Sequence, residues 1–262
     1  SRVAPQRRAQ AVSLMMLGPT VATIVGVPLA NALGQWAGWR WGFGVVTLLA
    51  LLTAALVAMH APKDRVQPGA SAMRELGALG RRQVWLTLGI ATIGFGGMFA
   101  VYTYLGSTLL EVTRAGPGLL PVVLSVFGMG MTAGTLGAAW AADRALMPTV
   151  GGLLLWSAAS LALYPFAAGH LWTLLPVVFL IGCGGGLGTV LQTRLMDVAG
   201  DAQTLAAALN HSAFNAANAL GPWLGGLAIA AGHGWTSTGW VGVALAFGGM
   251  AFWAASLALD RR

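Results

Sequence analysis

Inside an otherwise apolar run over residues 202–259, His211, Asn215 and Asn218 recur at i, i+4 and i+7. That spacing puts an imidazole and two carboxamides on one face of a helix. Both group types donate and accept hydrogen bonds, and an imidazole can also carry a proton, so the face suits either proton transfer or the binding of water and polar solutes. A second group is aromatic: Phe95, Phe99, Tyr102, Thr103 and Tyr104 form a surface with few hydroxyls, which fits an apolar or amphipathic solute as well as it fits core packing. Catalytic chemistry finds little support. His60, His170, His211 and His233 are dispersed, and HExxH, GxSxG and paired carboxylates are absent from the sequence, so no catalytic residue, metal ligand or cofactor is expected. Cys183 is the single cysteine, which excludes an internal disulfide.

The elements that must carry these residues follow from where charge is missing. Asp, Glu, Lys and Arg are absent from residues 9–39, 41–62, 83–110, 115–142, 145–193 and 202–259, which are 31, 22, 28, 28, 49 and 58 residues long. A bilayer crossing needs about 20 apolar residues, and an ion at its centre costs about 2.5 kcal/mol or more. Four stretches hold one crossing each. The two long ones divide at 165–170 and 232–234, giving eight expected helices: 9–33, 41–60, 84–109, 118–141, 149–168, 171–192, 203–231 and 235–258. The fold class is therefore all-α and integral to the membrane. In that setting the His211 face has two readings, a hydrated solute path or interhelical hydrogen bonds worth about 0.6 kcal/mol each.

Composition agrees, with 57% hydrophobic and 8% charged residues against about 25% charged in soluble domains. The net charge of +7 does not point to nucleic acid, because the charges are sorted. With eight crossings and an inside N-terminus, twelve of the fourteen basic residues share one face, and Arg40 and Arg114 fall on the other. That asymmetry predicts a multi-pass protein of the cell inner (plasma) membrane with both termini cytoplasmic. The lipid bilayer is the expected partner.

Residues 61–83 form a long polar linker, expected to be cytoplasmic, which separates two helices (1–60) from six (84–262). Gly26-Val27-Pro28-Leu29 followed by Gly38-Trp39 is echoed by Gly221-Pro222-Trp223-Leu224 followed by Gly234-Trp235, and both pairs cross in the same direction, as parallel copies about an axis along the membrane normal would. Gly18, Gly26, Pro28, Gly221 and Pro222 remove bulk or a backbone donor, so they serve bending and close helix approach. Asp143-Arg144 lies at a helix end in an acid-poor chain. Either it gates one conformation or it caps the helix.

Taken in order, these pieces resemble the major facilitator superfamily, in its drug- and sugar-efflux branch of proton-coupled exporters. Arg8 and Ala11 with Gly18, Gly26-Val27-Pro28-Leu29, Gly34-Gln35 and Gly38-Trp39-Arg40 with Phe43 look like that family's fifth helix and the turn into its sixth. Gly97 and Phe99 through Leu105 look like the seventh. Gly128, Gly130, Gly134 and Gly137 leading to Asp143-Arg144 resemble the eighth, although Ala145-Leu146-Met147-Pro148 lacks the family's usual Gly and second basic residue. Asn210, Phe214, Asn215, Asn218 and Gly221 resemble the eleventh. The resemblance implies the last two helices of an N-terminal six-helix bundle plus a complete C-terminal bundle, with the parent chain's first four helices as missing partners.

It also implies export of a small molecule, a drug, sugar or related metabolite, by alternating access. Protons are the implied coupling ion, yet no Asp or Glu falls inside an expected crossing. Coupling would then use a carboxylate on the missing helices, or His211. A non-transporting sensor or scaffold and an intramembrane enzyme remain as alternative classes.

Overall fold

The protein's structure, a computed structural model, describes residues 18, 21–60, 76–200 and 202–260. The expected helix start at residue 9 and linker residues 61–75 lie outside them. The described chain is helical throughout: α1 (Val27–Ala37), α2 (Trp39–His60), α3 (Arg82–Gly89), α4 (Gly96–Glu111), α5 (Leu120–Ala142), α6 (Leu146–Ala167), α7 (Leu171–Cys183), α8 (Gly186–Ala199), α9 (Gln203–Ala228) and α10 (Ser237–Asp260). Wide π turns precede α1 at Ala22–Gly26, join α3 to α4 at Ile90–Gly94, and end α9 at Ile229–His233.

Two compact units divide these helices, residues 1–70 with 118–125 and residues 71–117 with 126–262. In the first, α1 and α2 form a hairpin broken at Gly38, whose φ of 93° is open to glycine at little cost. Pro28 lacks the N–H that would bond the Ile24 carbonyl, and the Ser125 hydroxyl donates to that oxygen instead, at 3.3 Å.

In the second unit α10 packs most extensively on α6 and also on α4, while α9 lies along α4. Glycines set these distances. A Cβ on Gly97 would stand 2.6 Å from the Gly242 carbonyl oxygen, and one on Gly221 would run into the Gly96 carbonyl. Gly130 and Gly134 of α5 meet the Phe179 and Cys183 carbonyls in the same way. Close backbone approach of this kind replaces the hydrophobic drive that lipid cannot supply.

Six helical spans among the described residues are long and apolar enough to cross a membrane: Trp39–His60, Arg82–Glu111, Pro117–Ala142, Leu146–Ala167, Leu171–Ala199 and Ser237–Asp260. The sequence predicts eight. The seventh of those, residues 203–231, does fold as a helix, but Asn210, His211, Asn215 and Asn218 hold its polarity above that of an ordinary span. The sixth runs on past residue 192 to Ala199, carrying Arg194 and Asp197 within the helix. Arg194 is accommodated there because it pairs with Asp260 at the end of α10.

Candidate functional site

The α9 face predicted from the i, i+4, i+7 spacing is present as a single stripe. Asn210, Ala213 and Ala217 turn into the unit and are buried, whereas His211, Asn215 and Asn218 are exposed. No hydrogen bond joins those three side chains to another described residue. Of the two readings offered by the sequence, interhelical bonding therefore finds no partner among the described residues of this unit. His211 stands eight residues after Gln203, about 12 Å along the helix axis, and Asn218 lies about two turns further along.

The aromatic group is divided by the geometry of α4. Phe95 is buried, its ring 5.4 Å from Phe99 and 4.7 Å from Phe214 of α9. Tyr102 tilts over Phe127 at 4.7 Å, and Thr103 is exposed. Phe99 and Thr103 lie about one turn apart on α4, and Phe99 adjoins α9 through the Phe95 ring that Phe214 meets. Tyr104 has a different partner. Its hydroxyl donates to the Pro222 carbonyl at 3.0 Å and its ring lies against Gly225 and Gly226, so it ties α4 to α9.

Sequence spacing alone does not place Phe214 in the site, although it sits one residue before Asn215. What places it there is the ring contact with Phe95, 119 residues away along the chain. A second group that composition does not reveal lies where α3 begins and α8 and α10 end. There the Gln83 amide donates to the Ser256 carbonyl and to Asp260, and accepts from the Ser256 hydroxyl, while Arg194 pairs with Asp260.

The conformational candidates occupy distinct settings. Gly18 is helical and exposed, Gly26 closes the first π turn, and Pro28 is the buried residue of α1. Gly221 forms the α4–α9 contact, and Pro222 supplies the carbonyl that Tyr104 uses. Asp143 is exposed, and Arg144 folds back on its own helix, donating to the Trp140 carbonyl at 2.7 Å with its guanidinium 3.7 Å from the Trp140 ring centroid. In this conformation Arg144 is a helix cap. Among the described residues no three His, Cys, Asp or Glu side chains group closely enough to hold a metal ion.

The family profile of the Major Facilitator Superfamily matches residues 1–199. This chain belongs to the Major Facilitator Superfamily. Among its relatives, the inner membrane transport protein YdhP of Escherichia coli strain K12 is 33% identical over 239 residues, covering 90% of this chain and 61% of the relative. The chloramphenicol resistance protein of Streptomyces lividans is 32% identical over 231 residues, covering 84% and 57%. A probable sugar efflux transporter of Pasteurella multocida is 30% identical over 234 residues, covering 86% and 56%. The chain thus spans about three-fifths of the length of these curated relatives. The resemblance drawn from the glycine, proline and asparagine motifs is borne out. For this facilitator chain the α9 stripe adds something the profile does not cover, because residues 203–260 lie beyond the matched segment.

Proposed function

We propose that the chain forms most of an inner-membrane exporter of small molecules that works by alternating access, with the uncovered His211, Asn215 and Asn218 stripe lining part of the solute path. The observation that carries this reading is the stripe itself. Three polar side chains stand exposed in one line on a helix, unpaired among the described residues. Such groups are expensive against lipid and are found facing water-filled cavities. Phe99, which adjoins α9, supplies an apolar edge, so the surface suits an amphipathic solute. The efflux and resistance names of the relatives support export of a drug or sugar-like molecule.

On this reading residues 1–60 belong to an N-terminal bundle, residues 61–83 form a cytoplasmic linker, and residues 84–262 are the C-terminal six-helix bundle. Eight crossings and cytoplasmic termini complete the topology, with four further helices supplied by the same parent polypeptide. Rocking of the two bundles would use the Gly26 and Pro28 turn, the Gly221 and Pro222 contact, and the Asp143 and Arg144 helix end. Protons are the coupling ion. His211 serves mainly as a hydrogen-bonding group, since an amide can replace a neutral imidazole as donor and acceptor.

Solute uptake into inverted vesicles, driven by a pH gradient, tests this in protein expressed from the complete reading frame. His211→Gln keeps gradient-driven transport, and His211→Leu loses much of it. Loss of pH-driven transport in His211→Gln with solute binding intact would make His211 the coupling group instead. Unchanged transport in His211→Leu, Asn215→Leu and Asn218→Leu together would remove the stripe from the path.

A further inference from the structure

At one end of the second unit, three candidate spans finish side by side: Arg82 begins one, Ala199 ends another and Asp260 ends a third. Between them lies an open groove of about 360 Å³ lined by Arg81, Arg82, Gln83, Val198, Leu259 and Asp260. Because it is built from the ends of crossings, the groove sits at the level of lipid headgroups.

Its electrostatics favour an anion. Arg81 precedes α3 and Arg82 is its first residue, with no acidic residue in the first turn and no side-chain cap on its N–H groups. Two guanidiniums at the positive end of a helix oppose the usual preference for negative charge there. Arg81 is partly used, since one of its nitrogens donates to the Val198 carbonyl at 2.9 Å. Arg82 is exposed and makes no described bond. Asp260, the carboxylate in the groove, is taken up by Arg194 and by Gln83 at 2.9 Å. Asp197 is exposed on α8 next to Val198. Three arginines therefore face two carboxylates among the described residues, one of them already paired. Apolar contact is available as well, from Val198 and Leu259 in the wall. Trp85, about one turn along α3 from Arg82 and outside the groove's lining, exposes its ring with its indole N–H held by the Leu79 carbonyl at 2.7 Å. Indole rings favour this depth of the membrane.

We propose that this groove binds the phosphodiester headgroup of an anionic phospholipid, with Arg82 and the free edge of Arg81 on the phosphate and Leu259 and Trp85 against the glycerol and upper acyl chain. The proposal stands apart from the solute path, because the groove shares no residue with the α9 stripe.

The test measures binding to the detergent-solubilised chain by titration calorimetry with three probes: short-chain phosphatidylglycerol below its micelle concentration, phosphatidylcholine of the same chain length, and inorganic phosphate. Phosphatidylglycerol binds tightest and weakens as salt is raised. Arg82→Gln and Arg81→Gln each lower its affinity about fivefold, while Arg40→Gln leaves it unchanged. Equal affinity for the two lipids in the unmutated chain would overturn the proposal, as would an Arg82→Gln variant that binds phosphatidylglycerol normally. Inorganic phosphate binding as tightly as the lipid would assign the groove to a soluble anion and overturn the lipid assignment.

Discussion

Gly221→Ala probes the α4–α9 contact on which the position of the polar stripe depends. An alanine Cβ there would collide with the Gly96 carbonyl oxygen and stand 2.9 Å from the Gly96 carbonyl carbon and 3.0 Å from the Ala100 nitrogen. All three atoms are backbone. No side chain can swing aside, so α9 must back away from α4 or the contact must distort. Overpacking of that kind costs about 1–3 kcal/mol. At about 2–4 °C per kcal/mol for a chain of this size, the midpoint of thermal unfolding in detergent falls by about 2–12 °C. Gly137→Ala is the control, because nothing lies within 4 Å of a Cβ at that position. There the better helix propensity of alanine leaves stability equal or raises it by up to about 1 kcal/mol. If Gly221→Ala melts with Gly137→Ala, the helices are not in backbone contact at Gly96 and the packing described above is wrong.

Tyr104→Phe removes the hydroxyl that donates to the Pro222 carbonyl and lowers stability by about 0.6 kcal/mol, readable in the same melts. Gln83→Ala strands the fully buried Ser256 hydroxyl and costs about 1–3 kcal/mol, whereas adding Ser256→Ala restores part of the loss, a difference that a double-mutant cycle measures. Single cysteines at Ala145 and Gly116 in a Cys183→Ala background report topology: impermeant thiol reagents on intact cells label position 116 and spare position 145, and the reverse pattern would invert the chain in the membrane.

The six apolar spans found among the described residues are legible in the sequence because an ion in hydrocarbon is so costly that the part of a helix that crosses lipid is stripped of charge. The two tight turns near residues 168–170 and 232–234 are equally plain, since Pro165, Gly232 and Gly234 punctuate otherwise unbroken apolar runs. Helical periodicity also places His211, Asn215 and Asn218 on one exposed face. What the sequence hides is whatever depends on a neighbour distant along the chain. Tyr104 reads as one more ring of the aromatic group, but its partner Pro222 lies 118 residues away and turns it out of that surface. The π turn at Ile90–Gly94 has no distinctive residue, because a single inserted position in a helix changes no composition. Arg194 reads as the first charge after a crossing, and only its pairing with Asp260 reveals that the helix continues through it.

Thiol reactivity along α9, in protein expressed from the complete reading frame and lacking Cys183, separates a hydrated stripe from one that faces lipid or protein. Asn215→Cys and Asn218→Cys line the proposed path, Leu227→Cys is exposed on α9 outside the stripe, and Ala213→Cys is buried. A charged methanethiosulfonate reagent reacts with a thiolate, which forms only where water reaches. A hydrated path predicts fast labelling at positions 215 and 218, slowed by a transported solute, with little at 227 and 213. Labelling at 215 and 218 no faster than at 227 would mean that the stripe faces lipid or protein rather than water, and would contradict the account.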